Sequence, residues 1–264
     1  MDNHGLRETA AVGLSLLDLT DLDAACTPEA IDRLCARAQT PFGNVAAVCI
    51  LPRFVPRARL ALGPSHAIRI ATVVNFPEGE GETADIVSEA REAIADGADE
   101  IDLVVPYRRV LAGDIGALQE TVRAVRAACP APVVLKAVLE TGALKEPRLI
   151  EQATLAAIDA GADFIKTSTG RSAVGVTLEA ADIILRAIRQ RGGRVGFKPS
   201  GGIRTVADAD LYLSLAGTIL APDWAMPSTF RFGASGLLDA FVAMLSAPFS
   251  SRALPLNSGS PEVL

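Results

Sequence analysis

Short apolar runs alternate along this chain with longer amphipathic stretches. The runs are Val12–Leu17, Val45–Leu51, Ile68–Asn75, Glu100–Val105, Val133–Glu140, Asp163–Ser168, Arg194–Pro199 and Thr229–Ala234. They are rich in Val, Ile and Leu, as parallel strands covered on both faces are. The stretches between them read as helices with recognisable ends. Thr27-Pro28-Glu29 puts a capping hydroxyl before a proline at the first helical position. From Glu82 to Ala95, Ile86, Ala90 and Ile94 recur every four residues and mark one helix face. Asp96-Gly97 stops that helix, Ala160-Gly161-Ala162 and Gly192-Gly193 give similar stops, and Thr205 is placed to cap the helix that follows it.

Eight strand–helix units in 264 residues predict one α/β domain, a single TIM (β/α)8 barrel over residues 1–264, a fold that typically takes about 250 residues. A doubly wound open sheet is the alternative. It would usually carry a glycine-rich loop after the first strand, whereas here that strand ends Leu16-Leu17-Asp18-Leu19-Thr20. No domain break is visible. From about Ala247 the sequence APFSSRALPLNSGSPEVL is rich in Ser and Pro and is expected to be a mobile tail.

Composition narrows the function. Half of the residues are apolar, yet no run approaches the ~18 residues of a membrane span. The polar start MDNHGLRETA is not followed by a signal-peptide core, so a soluble, cytoplasmic protein is expected. Cys26, Cys35, Cys49 and Cys129 show no CxxC spacing and read as free thiols. A net charge of -6 argues against nucleic-acid binding. With only His4 and His66, a three-histidine zinc site is impossible within the chain, and no carboxylate cluster suggests magnesium. No metal is predicted.

The basic residues are more informative. There are 21 Arg and four Lys. Lys145 sits in the polar stretch ALKEPR and reads as solvated. Lys136, Lys166 and Lys198 sit inside apolar runs. Arginine does not lose its proton in proteins, whereas a buried lysine can do so and become a nucleophile. The plainer alternative is three snorkelling or salt-bridged lysines, but buried charge is rare unless it is paired or functional.

In a TIM barrel the catalytic side chains come from the C-terminal ends of the strands. Polar residues near those ends are Asp18, Cys49, Asn75, Asp102, Lys136, Lys166 and Lys198, with Ser235 just beyond the eighth strand. Glu100 and Asp102 share one face of their strand by two-residue periodicity. In ADFIKTSTG, Lys166 is expected to be desolvated, and a second ammonium from Lys198 would favour its neutral form. Lys136 could balance Asp102 or Asp18. Gly201-Gly202 follows the seventh strand and Ser235-Gly236 the eighth, where this fold often binds phosphate, and Gly170 could add a third segment. A glycine pair alone is more often only a turn.

These motifs resemble the deoxyribose-phosphate aldolase family of class I aldolases, in its longer bacterial form. The resemblance rests on LLDLTDL, TPFGNVAAVCILPRFVP, RIATVVNFPEGE, GADEIDLVVPYR, LKAVLETGAL, KTSTG, VGFKPSGGIRTVADA and FRFGASGLL, which run in the family's order from about Leu16 to Leu238. It implies reversible cleavage of 2-deoxy-D-ribose 5-phosphate to acetaldehyde and D-glyceraldehyde 3-phosphate, with no metal or organic cofactor. It makes Lys166 the Schiff-base residue, Lys198 the neighbouring proton-handling lysine and Asp102 a proton carrier working with water. It places Asp18, Thr20, Cys49, Lys136 and Thr169 around the substrate, and gives the phosphate to Gly170, Gly201, Gly202, Ser235 and Gly236. It also suggests a homodimer. Two departures stand out. Many relatives have Ser-Ser at Ser235-Gly236, and some end in a Tyr where this chain ends in Leu264. Another Schiff-base aldolase, and a non-catalytic phosphosugar-binding protein, are the alternatives.

Overall fold

The structure is a computed structural model that describes residues 3–248. Eight parallel strands form its centre: β1 Leu17–Asp21, β2 Ala47–Ile50, β3 Arg69–Val74, β4 Glu100–Val104, β5 Val134–Val138, β6 Phe164–Lys166, β7 Gly196–Lys198 and β8 Phe232–Ala234. Neighbours in sequence are neighbours in the sheet from β1 to β7, and β8 pairs with β1. Single bridges from Phe197 to Phe230 and from Ser200 to Gly233 join β7 to β8. The ring is therefore the expected (β/α)8 barrel.

Helices Pro28–Arg37, Val55–Leu62, Thr83–Ala95, Ile115–Ala128, Pro147–Asp159, Leu178–Gln190, Val206–Ile219 and Leu237–Ser246 cover its outside. Their ends follow the sequence cues. The Thr27 side chain accepts from the Ala30 amide. Thr205 and Asp208 cap each other reciprocally. Gly97 and Gly161 take φ of 104° and 101°, a left-handed conformation that costs glycine little. Among the described residues no helix is long and apolar enough to cross a membrane.

One strand expectation fails. Val12–Leu17 is not the first strand; Val12 to Ser15 end a helix spanning Asn3–Ser15, and β1 begins only at Leu17. A six-residue apolar run does not distinguish a buried helix end from a strand. Here Val12 is 45% exposed while Ala10 and Leu14, four apart, are buried, which is the helical period. Gly13 lets this helix close on the last one: a Cβ there would lie 2.4 Å from the Phe241 ring. The expected tail from Ala247 lies, apart from Ala247 and Pro248, outside the described residues.

The apolar side chains form two separate groups. The larger lies between sheet and helices. The smaller, inside the barrel, consists of Leu22, Ala47, Cys49, Ala71 and Val73. Apolar packing thus fills the side of the barrel interior that comes mainly from β2 and β3. The other side carries the charged groups, with the Phe164 ring of β6 among them.

Candidate active site

Two-residue alternation sends Asp18, Glu100, Asp102, Lys136, Lys166 and Lys198 inward from β1, β4, β5, β6 and β7, and all six are buried. The sheet register aligns them. Asp102 is the partner of Lys136, and Lys166 is the partner of Lys198. Asp102 sits at the centre. Its Oδ1 lies 2.8 Å from Lys136 Nζ, and its Oδ2 lies 2.8 Å from both Lys166 Nζ and Lys198 Nζ. Lys136 also reaches Glu100 Oε2 at 2.5 Å and Asp18 Oδ2 at 3.8 Å, and Lys198 reaches Asp18 Oδ2 at 2.5 Å. Lys166 contacts Asp102 and no other carboxylate among the described residues.

Burial alone would raise the Asp102 carboxyl, but Lys136, Lys166 and Lys198 together hold it well below the usual carboxylate range. Asp18 and Glu100 are lowered in the same way, against burial, by Lys198 and Lys136 respectively, with help from Arg231. Burial would lower Lys136 and Lys198, but the carboxylates prevail and both are raised. The cluster therefore holds three carboxylates opposite at least two committed ammonium groups. Cys49 contacts it through Sγ, 3.9 Å from Asp102 Oδ2, and burial raises its thiol.

Above the cluster a cavity of about 760 Å³ opens at the C-terminal end of the strands. Lys166 forms part of its floor. Thr20, Thr169, Gly170, Gly201, Gly202, Ser235 and Gly236 line its walls. The Thr20 hydroxyl donates to its own strand at the Asp18 carbonyl (2.8 Å). The loop after β6 is anchored by Glu140, whose Oε2 accepts from the Thr169 amide at 3.1 Å and its hydroxyl at 2.5 Å. Among the described residues, the amides of Gly170, Gly201, Gly202, Ser235 and Gly236 donate to no protein acceptor. Gly202 has φ of 89°, and a Cβ there would meet nothing within 4 Å. Its backbone therefore faces open space. Free amides beside the start of the helix Leu237–Ser246 suit an anion.

Three consecutive strands share one spacing. A buried cation at Lys166, Lys198 or Arg231 is followed four residues later by Gly170, Gly202 or Ser235.

Every residue singled out from the sequence thus falls either in the ionic cluster or in the cavity wall, with one exception. Asn75 stands at the end of β3, but its amide nitrogen donates to the Val104 carbonyl and its side-chain oxygen accepts from the Gly81 amide, both at 2.8 Å. It ties down a loop and does not reach the cluster. Lys145 is exposed.

Sequence reasoning missed Arg231, which is buried beneath the lysines, and the arginines Arg37, Arg171 and Arg204 along the cavity wall. Arg171 follows Gly170 directly, and a basic residue beside a phosphate-type glycine was the available signal. Arg171 donates to the Leu22 carbonyl across the mouth. Gly233 was also missed. A Cβ there would lie 2.2 Å from Ser200 Oγ and 3.1 Å from Lys198 Cε, so a side chain at this position would displace Ser200 and crowd Lys198.

Known proteins share this arrangement of sequence and fold. The family model of the DeoC/LacD family aldolases matches residues 14–241. A deoxyribose-phosphate aldolase of Agrobacterium fabrum (strain C58) is 62% identical over 247 residues, covering 94% of this chain and 95% of its own. A solved structure from Toxoplasma gondii ME49, assigned as a deoxyribose-phosphate aldolase, is 27% identical with a TM-score of 0.82, over 92% of this chain and 96% of that one. A deoxyribose phosphate aldolase of Aeropyrum pernix, solved as a tetramer, is 22% identical with a TM-score of 0.72, over 93% and 99%, and bears on the fold alone.

Proposed function

The chain belongs to the DeoC/LacD family of aldolases, and we propose on that footing that it reversibly cleaves 2-deoxy-D-ribose 5-phosphate to acetaldehyde and D-glyceraldehyde 3-phosphate through a Schiff base on Lys166. It is a carbon–carbon lyase. The observation that carries the assignment of Lys166 is its position. It is the amine that forms the cavity floor, and it contacts a single carboxylate, whereas Lys136 contacts three and Lys198 two.

The chemistry follows from that geometry. Neutral Lys166 Nζ adds to C1 of the open-chain sugar, and water leaves to give a protonated imine. A base takes the C3 hydroxyl proton. The C2–C3 electron pair moves toward nitrogen, neutralises it, and leaves an enamine while C3 departs as the aldehyde of glyceraldehyde 3-phosphate. The same proton is returned at C2, and water hydrolyses the iminium to release acetaldehyde. The iminium is the electron sink throughout. We assign the proton traffic to Asp102, acting through a water, and to the Lys198 ammonium, because Asp102 accepts a hydrogen bond from Lys198 and another from Lys166. Lys136 and Asp18 hold that pair in place. Thr20, Cys49 and Thr169 are proposed to border the sugar.

The phosphate is assigned to the free amides of Gly170, Gly201, Gly202, Ser235 and Gly236, with Arg171 and Arg204 supplying charge at the rim. A sugar without phosphate is the second reading, favoured by Gly236, which removes one hydroxyl from the phosphate loop. We further propose a homodimer in the cytoplasm, the latter in keeping with four free cysteines. Incubation with acetaldehyde and borohydride, followed by peptide mapping, tests the nucleophile: the adduct belongs on Lys166, and an adduct elsewhere would refute the assignment.

A further inference from the structure

Arg231 is a buried cation to which the proposed reaction gives no role. It precedes β8 and is 5% exposed. Its Nη1 lies 2.6 Å from Asp18 Oδ1, its Nη2 lies 2.8 Å from Glu100 Oε1, and its Nε donates to the Pro227 carbonyl at 2.5 Å. The Phe164 ring lies against it, with the guanidinium carbon 5.8 Å from the ring centroid. It makes no hydrogen bond or ion pair with Lys166 or Asp102.

Its significance comes from counting charge. The connected cluster holds three carboxylates, Asp18, Glu100 and Asp102, and four basic groups, Lys136, Lys166, Lys198 and Arg231. Glu140 is the remaining buried carboxylate among the described residues, and it is bonded to Thr169 outside the cluster. Inside a barrel an unbalanced charge is costly. Three carboxylates balance three cations, so one basic group is surplus. Arginine stays protonated, and Lys136 and Lys198 each bridge two or more carboxylates. Lys166, with its single carboxylate partner, is the basic group that the three carboxylates hold least.

We propose that Arg231 is a positioning residue that frees Lys166 to react: by neutralising Asp18 and Glu100 from below, it makes the neutral amine at Lys166 the balanced state of the cluster. The proposal rests on Lys166 being the nucleophile. Without Arg231, three carboxylates would face three lysines, and all three lysines would be held as ammonium.

Other charged groups near Lys166 stay constant across the variants below. Cys49 faces it from β2, whereas β3 and β8 present Ala71, Val73 and Gly233. At the mouth stand Asp21, Asp23, Arg37, Arg171 and Arg204.

The test is the pH dependence of acetaldehyde trapping by borohydride in the full chain. Arg231→Met should move the midpoint to higher pH by roughly half a unit or more, less than the roughly 1–3 units a directly neighbouring charge exerts, because Arg231 acts through Asp18 and Glu100. Glu100→Gln/Arg231→Met restores the balance, with two carboxylates against three lysines, and should bring the midpoint back toward wild type. Arg231→Lys should lie near wild type. A purely structural role would slow all variants and leave the midpoint where it is, and that outcome overturns the proposal. So does a double variant that stays shifted with the single one. If Arg231→Met does not fold, Glu100→Gln decides: it leaves two carboxylates against four cations, and a midpoint that fails to fall refutes the idea. Wild-type adduct mapping to a residue other than Lys166 would instead refute the underlying assignment.

Discussion

Lys166 and Lys198 are register partners on adjacent parallel strands, and their ammonium nitrogens both lie 2.8 Å from the same oxygen, Oδ2 of Asp102. One carboxylate oxygen is thus shared by two amines. Lys198 has Asp18 as a second carboxylate partner, and Lys166 has none among the described residues. The asymmetry is the geometric ground for proposing Lys166, and not Lys198, as the amine that attacks a carbonyl.

Lys166→Arg should keep a positive charge near Asp102 and remove detectable cleavage, because a guanidinium does not form the required iminium. Borohydride trapping with acetaldehyde should then add no mass to the protein. Cleavage at a near-normal rate would show that another amine carries the bond.

Lys198→Leu removes both the like charge beside Lys166 and its competitor for Asp102 Oδ2. Both changes favour the ammonium form of Lys166, so the rate of Schiff-base formation should rise with pH about a unit or more later than in wild type. Stopped-flow measurement across pH 6–10 tests this. A lower rate with an unmoved profile would give Lys198 a role in proton transfer alone.

Ser235→Ala should lower the preference for phosphorylated over plain deoxyribose by about one to two orders of magnitude, since a hydrogen bond to a charged group contributes roughly 1.5–3 kcal/mol. Gly236→Ser should raise it. Gly236 has no atom within 4 Å of a built Cβ and an ordinary φ of -95°, so the serine fits. The ratio of kcat/KM for the two sugars is the measurement. Equal ratios in all three proteins would move the phosphate elsewhere.

Stability should be lost mainly on the acid side. The Asp18, Glu100 and Asp102 carboxyls lie below their unfolded values, so their contribution is complete above the ordinary carboxylate range, about pH 4, and disappears as pH falls through their lower folded values. Lys136 and Lys198 are raised. Their contribution is complete below about pH 10 and is lost only as pH climbs through the raised values. Urea midpoints should therefore be nearly level between pH 6 and 9 and fall steeply below 4, with proton uptake on unfolding. A midpoint at pH 3 equal to that at pH 7 would contradict the charged cluster.

Most of the barrel was legible because buried parallel strands are written as Val/Ile/Leu runs and their helices as four-residue repeats. Val12–Leu17 misled because six apolar residues fit either period. The lysines stood out because there are only four and three lie in apolar runs. Arg231 was hidden by the same composition. Among 21 arginines one more drew no notice, and it lay within the run Thr229–Ala234, which read as a whole strand. Only the fold shows that it points at Asp18 and Glu100, carboxylates carried more than 100 residues earlier in the chain. Asn75 failed in the opposite direction: a polar residue at a strand end, its side chain spent on the loop beside it.

On the proposed assignment, the repeated interval of four residues from Lys166 to Gly170 and from Lys198 to Gly202 would give the enzyme a sense of length. Amine and anion loop would hang on the same short backbone segment on two neighbouring strands, leaving the lysine side chain as the adjustable part of the gap. A sugar phosphate one carbon shorter or longer should then satisfy the aldehyde end and the phosphate end together less well. Discrimination by chain length would lie largely in the main chain.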